Sequence, residues 1–219
     1  MTGRGPSIVF LGFDPALADL VSPFVSEALA GLDLEDDLAR LTLGGDDLPG
    51  DDAAWCRLGR LGRTGLGVEI FCSPQVFLRL RSATSTVFPG TPVWEHRPAP
   101  PADEVFSPAD FSESRTRAFL HHHLLVARDL LRGELDPEAV PPAFGEAFTS
   151  AWDVVVDGRL ERAGLPGYAL TDRRGAFSRL FSAAGVLMPD HWGVFHSLWE
   201  GGLTTQGEVT EAIRLLPRL

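Results

Sequence analysis

The chain has 219 residues, enough for one large domain or two small ones, with 44% hydrophobic and 22% charged side chains. That balance, with 14 Phe and 5 Trp to fill a core, excludes wholesale disorder. The formal net charge of −11, with every one of the 19 basic residues an arginine, speaks against nucleic acid or anionic lipid as partner, since phosphates demand concentrated positive charge. The absence of lysine reads as a bacterial-type coding bias and carries no functional argument.

Cys56 and Cys72 are too few for a disulfide framework and belong to no CxxC pair, so both are expected as reduced thiols, Cys72 inside a buried strand. The apolar run Ile8–Leu11 is too short for a secretory signal, and no stretch approaches the roughly 18 apolar residues of a membrane span. A soluble, cytoplasmic protein is the expectation.

In chain order, 7–13 reads as a buried strand and Asp14-Pro15 as the start of a helix through Leu32. Residues 40–43 form a second strand before Gly44-Gly45, and 46–52 an acidic turn region. Residues 67–72 are the clearest later strand, and 86–94 an irregular or edge strand marked by Gly90 and Pro92. The prolines of 97–101 predict an extended crossover. Asp110-Phe111-Ser112-Glu113 then opens a helical half, with helices expected over 111–132, 143–163, 172–186, 190–200 and 206–216. Strands early and helices late predict an α+β fold. An α/β part with a mixed sheet (1–110) packs on a long central helix, and a helical part (111–219) follows, the two forming one compact unit. Both parts are acidic, with 8 arginines against 16 acids in the first and 11 against 14 in the second.

The chemically distinctive segment is Phe119-Leu120-His121-His122-His123-Leu124-Leu125-Val126, followed by Asp129. At about 100° per residue, His122, His123, Val126 and Leu130 share the side of Phe119, with Asp129 near the direction of His122. His121 points nearly opposite, beside Arg117 and Arg128, and is expected in solvent. His122 and His123 are drawn toward the interior, each either a satisfied core histidine or a ligand, the former favoured. A helix chelates zinc with histidines four residues apart. Here the residues four on are Leu125, Val126 and Ala127, and those three on are also apolar, so this helix lacks a two-histidine site of its own.

A helix reading His-x-Leu-Leu-x-x-x-Asp after a strand-rich half resembles the active helix of zincin-like metallopeptidases. Aligned on its apolar positions and Asp129, His122–Val126 falls where that family carries HExxH. The resemblance extends to the strand–helix–strand order before this helix and the helical subdomain after it. It implies that His122 is the first zinc ligand, while His123 stands at the general-base position and Val126 at the second ligand's. Valine cannot coordinate a metal, and a base without the metal's polarising charge gives little reason to expect peptide hydrolysis. No catalytic residue is therefore assigned, and zinc, though possible in principle, is not expected to bind tightly.

An acid on a later helix could complete such a site. Asp153, Asp157 and Glu161 form an acidic stripe at i, i+4 and i+8, which is solvated, paired with arginines or facing a cation; Asp157 is the choice if one acid meets His122. Gly158 beside it would admit a neighbouring helix closely. His191 and His196, among aromatics, suggest core packing, and His96 a loop or edge-strand position. No GxSxG elbow or phosphate-cradling loop is present. The leading expectation is a zincin-like scaffold that has lost peptidase activity, a pseudoenzyme with a binding or regulatory role toward a protein or peptide partner. Its alternative is a metal-dependent hydrolase using His122, His123 and a remote acid.

Overall fold

A computed structural model describes residues 5–46, 48, 53–61, 65–79, 106–181 and 188–216. β1 (Ser7–Leu11) ends in a turn at Gly12, whose φ of +72° suits a residue without a Cβ. α1 (Pro15–Gly31) starts where the Asp14 carboxylate accepts from the Ala16 backbone N–H at 2.8 Å and Pro15 takes the first turn, where no intrahelical donor is required. β2 (Arg40–Gly45), β3 (Ala54–Leu61) and β4 (Gly65–Cys72) complete a sheet of order β1-β2-β4-β3. β1, β2 and β4 run parallel; β3 is an antiparallel edge.

Val68, Ile70 and Cys72 of β4 are buried at period two, as a strand with one covered face requires, whereas the central β2 is buried at four successive positions from Leu41 to Gly44. On β3, Trp55 opposes Phe71 and stacks on its ring with centroids 4.1 Å apart, while Arg57 opposes and pairs with Glu69. These cross-strand pairs hold the edge in register.

The helical part comprises α2 (Glu113–Arg132), α3 (Gly145–Arg162), α4 (Leu170–Phe181), α5 (Pro189–Glu200) and α6 (Gln206–Leu215). α2 ends at Gly133 in the left-handed region (φ +69°) and lies against α1, β3 and α3. α3 is the hub, touching α2, α4, α5 and α6. At Gly158 an added Cβ would stand 2.3 Å from the Trp199 carbonyl oxygen, so the close helix approach expected there is present, with α5 as the neighbour. One apolar cluster takes in Leu17 and Val25 of α1, Leu43, Ile70, Phe119 of α2, Val155 of α3 and Phe195 of α5. The architecture is thus α+β, a four-stranded mixed sheet with six α-helices among the described residues. Among them no helix is long and apolar enough to cross a membrane.

Several expectations need correction. β3 was not anticipated: its residues follow the expected acidic turn, and two arginines and Gly59 dilute the apolar signal of a strand covered on one face only. His121 is buried, 1% exposed, because α1 covers that face; its Nδ1 lies 2.8 Å from the Arg117 carbonyl oxygen, and Gly31 sits beside the ring. His196 is not core but a solvent-facing residue 3.8 Å from Glu200, whereas His191 is fully buried. Asp129 turns to Arg159 of α3 at 2.8 Å rather than to His122. The strand expected over 86–94, His96, the proline crossover 97–101, much of the 46–52 turn and the end of the 172–186 helix lie outside the described residues.

Candidate functional site

The α2–α3 interface carries the chemistry. α3 places Asp153 and Asp157 one turn apart on the side that meets α2, and α2 inserts His122 between them. His122 Nε2 lies 3.3 Å from Asp153 Oδ1, and Nδ1 lies 3.1 Å from Asp157 Oδ1; the imidazole is 2% exposed. From the first turn of α4, Arg173 reaches the same spot. Its Nε donates to Asp157 Oδ2, its Nη1 is 3.7 Å from Asp153 Oδ2, and its Nη2 is 3.3 Å from His122 Nδ1. The Tyr168 backbone N–H donates to Asp157 Oδ1 at 3.0 Å. Its ring stands edge-on to His122, with centroids 5.4 Å apart, and lies 4.3 Å beneath the guanidinium carbon.

A buried and a partly buried carboxylate one turn apart repel, and desolvation adds to the cost unless cations stand between them. Here a guanidinium and an imidazole do. Burial works to raise both aspartates, but His122 and Arg173 hold Asp153 and Asp157 below the ordinary carboxylate range. Burial likewise works to lower His122, yet the Asp157 charge and hydrogen bonds to both acids raise it overall, against the opposing charge of Arg173.

Nδ1 faces both an acceptor, Asp157, and a donor, Arg173, so the protonation state decides which of the two it bonds. Neutral, it donates from Nε2 to Asp153 and accepts from Arg173 at Nδ1; protonated, it donates from Nδ1 to Asp157 as well.

Asp157, the acid chosen in case one met His122, does meet it, and Asp153 meets it as well. Glu161, the third acid of the stripe, is exposed and accepts from Trp199 Nε1 at 2.5 Å, so the arginine-paired reading describes Asp153 and Asp157 but not Glu161. His123, at the general-base position, packs its ring 4.3 Å from Phe119 and 4.9 Å from the His122 ring. Val126 lines a neighbouring cavity of about 470 Å³ between α2, α3 and β3, whose wall also includes Asp153.

Arg173 and Tyr168 were missed in the sequence. Leu170, Arg173 and Phe177 recur at three- and four-residue spacing, which puts Arg173 on the buried stripe of α4. Tyr168 is the chain's single tyrosine but has no pattern around it.

These donors do not fit zinc as they stand. A zinc ligand must aim a free lone pair at the ion from about 2 Å. Both His122 nitrogens face carboxylates, Asp157 is spent on Arg173 and Tyr168, and a fixed guanidinium supplies the positive charge that an ion would bring. Among the described residues no group of three His, Cys, Asp or Glu side chains is arranged to hold a metal. No protein-family model matches this sequence, and neither a curated protein nor a solved structure matches it.

Proposed function

We propose that this chain is a zincin-like scaffold that has given up peptidase chemistry and works by binding, in a regulatory role toward a protein or peptide partner. The observation that carries the reading is the Arg173 guanidinium on Asp157 and His122, a side chain of the protein itself taking the cationic role that a metal plays in the family resembled. Supporting it are Val126 where a ligand is needed and His123 where a carboxylate base is needed. The order β1-α1-β2, with the histidine helix after the sheet and further helices behind it, agrees with the scaffold.

Turnover of peptide and amide substrates with added zinc tests the proposal, together with elemental analysis after zinc loading and buffer exchange. The expected result is no cleavage and substoichiometric zinc. Cleavage abolished by His122→Ala would overturn it. The convergence of His122 and Asp157 favours a second reading, a metal-dependent hydrolase using His122, His123 and Asp157 in which Arg173 gives way to an ion; stoichiometric zinc and zinc-dependent cleavage, both lost on mutating any one of the three, would establish that instead.

A further inference from the structure

The cavity beside the charge cluster differs from it in kind. About 470 Å³ lies within the 300–1,000 Å³ range of small-molecule sites. Its wall is mostly apolar, with Val126 and Leu130 from α2, Leu135 from the following turn, and Phe148 and Trp152 from α3. Among the described residues that line it, Asp153 is the one charged side chain, and the His122 and Arg173 groups that meet its oxygens at 3.3 and 3.7 Å are not part of the wall.

Asp153 is also the member of the cluster that solvent can reach. Its side chain is 28% exposed, whereas Asp157 is fully covered. The hold of the cluster on Asp153 is loose, with contacts of 3.3 and 3.7 Å against the direct Arg173 bond of Asp157, so its oxygens retain capacity for a further donor. Trp152 contributes an aromatic face, and its Nε1 finds no acceptor among the described residues.

We propose that this cavity binds a small organic ammonium ion with an apolar body, the charged head on Asp153 and the body against Leu130, Phe148 and Trp152. An apolar chamber with a single carboxylate selects by complementarity: an ammonium gains a charge-assisted hydrogen bond, a neutral isostere gains only burial, and an anion is repelled. The inference deepens the binding-scaffold reading and rests on it, since a working hydrolase would commit this flank of the site to its own substrate.

Isothermal titration with 2-phenylethylamine, 2-phenylethanol and 3-phenylpropanoate tests it. The amine is expected to bind saturably at one site, the alcohol about tenfold more weakly or less, and the carboxylate not at all. Asp153→Asn is expected to bring the amine down to the affinity of the alcohol. Should that variant not fold, Thr149→Trp serves, because Thr149 lies on the cavity wall at an exposed position of α3. It is expected to remove binding of amine and alcohol while leaving the melting temperature unchanged. A flat amine titration overturns the inference, as does equal binding of the alcohol or the carboxylate, or amine binding that survives both substitutions. Zinc-dependent peptide cleavage would sink the scaffold reading, whereas a flat titration without cleavage sinks the ligand assignment alone.

Discussion

Replacing Arg173 with methionine would leave the buried Asp157 and the partly buried Asp153 facing one imidazole. Breaking a buried ion pair from one side costs roughly 3–5 kcal/mol, because the remaining charge is left uncompensated. Arg173→Met is therefore expected to remove a large share of the stability in urea denaturation, and Arg173→Met combined with Asp157→Leu to cost less than Arg173→Met alone. A strictly additive double variant would show that the pair is not coupled. His122 adds a pH signature. Its folded pKa is raised above the unfolded value of about 6.5, so the stabilisation that it brings is complete below that value. It is lost as pH rises through the folded pKa. The stability gap between the native chain and His122→Gln should thus narrow from mildly acidic to alkaline buffer. A gap that widens with pH would contradict the arrangement of Asp153 and Asp157 around the ring. In strong acid the opposite limb appears, as both aspartates, held low in the fold, take up protons and release their contribution.

At the scale of elements, the α3–α5 crossing depends on the missing side chain at Gly158. Alanine there gains roughly 1 kcal/mol of helix propensity but forces a methyl against the Trp199 backbone, where overpacking costs typically 1–3 kcal/mol. Because the obstacle is a carbonyl and not a flexible tip, Gly158→Ala is expected to lower the melting temperature; a rise would mean that α5 yields freely. This glycine was legible because it interrupts a helical pattern beside the acidic stripe. So were α1 and the five later helices through their apolar periods, with a side-chain cap formed at α1 and α6, whereas Ser112 makes no such bond at the start of α2. β3 was not legible, since an edge strand with Arg57, Gly59 and Arg60 becomes a strand by pairing with β4, a tertiary event. The candidate site divides along the same line. Helical spacing placed His122 on an inward face and Asp157 on an acidic stripe but left their meeting conditional, whereas Arg173 arrives from α4 across 51 residues of sequence from His122, and only its place on an apolar stripe hints at burial. His121 misled because the angular position of a residue on one helix says nothing of a second helix, here α1, lying over it.

Across the whole molecule the sheet and the helical part draw on one apolar cluster, and the two cysteines offer a way to ask whether they unfold together. Burial pushes both thiols up to about 12, far from the thiolate that alkylating reagents need. Cys72 is fully buried in β4, in the sheet, while Trp152 and Trp199 report on α3 and α5. Native protein should thus resist iodoacetamide at both cysteines and become reactive only on unfolding. If Ile70 and Leu43 share a core with Phe119 and Val155, exposing one part strips apolar cover from the other, and the transition is cooperative. Cys72 alkylation, followed by mass spectrometry across a urea series, is then expected to rise with the same midpoint as the loss of tryptophan fluorescence. Labelling of Cys72 at lower urea than the fluorescence change would mean that the sheet opens while the His122–Arg173 cluster still holds α2, α3 and α4 together.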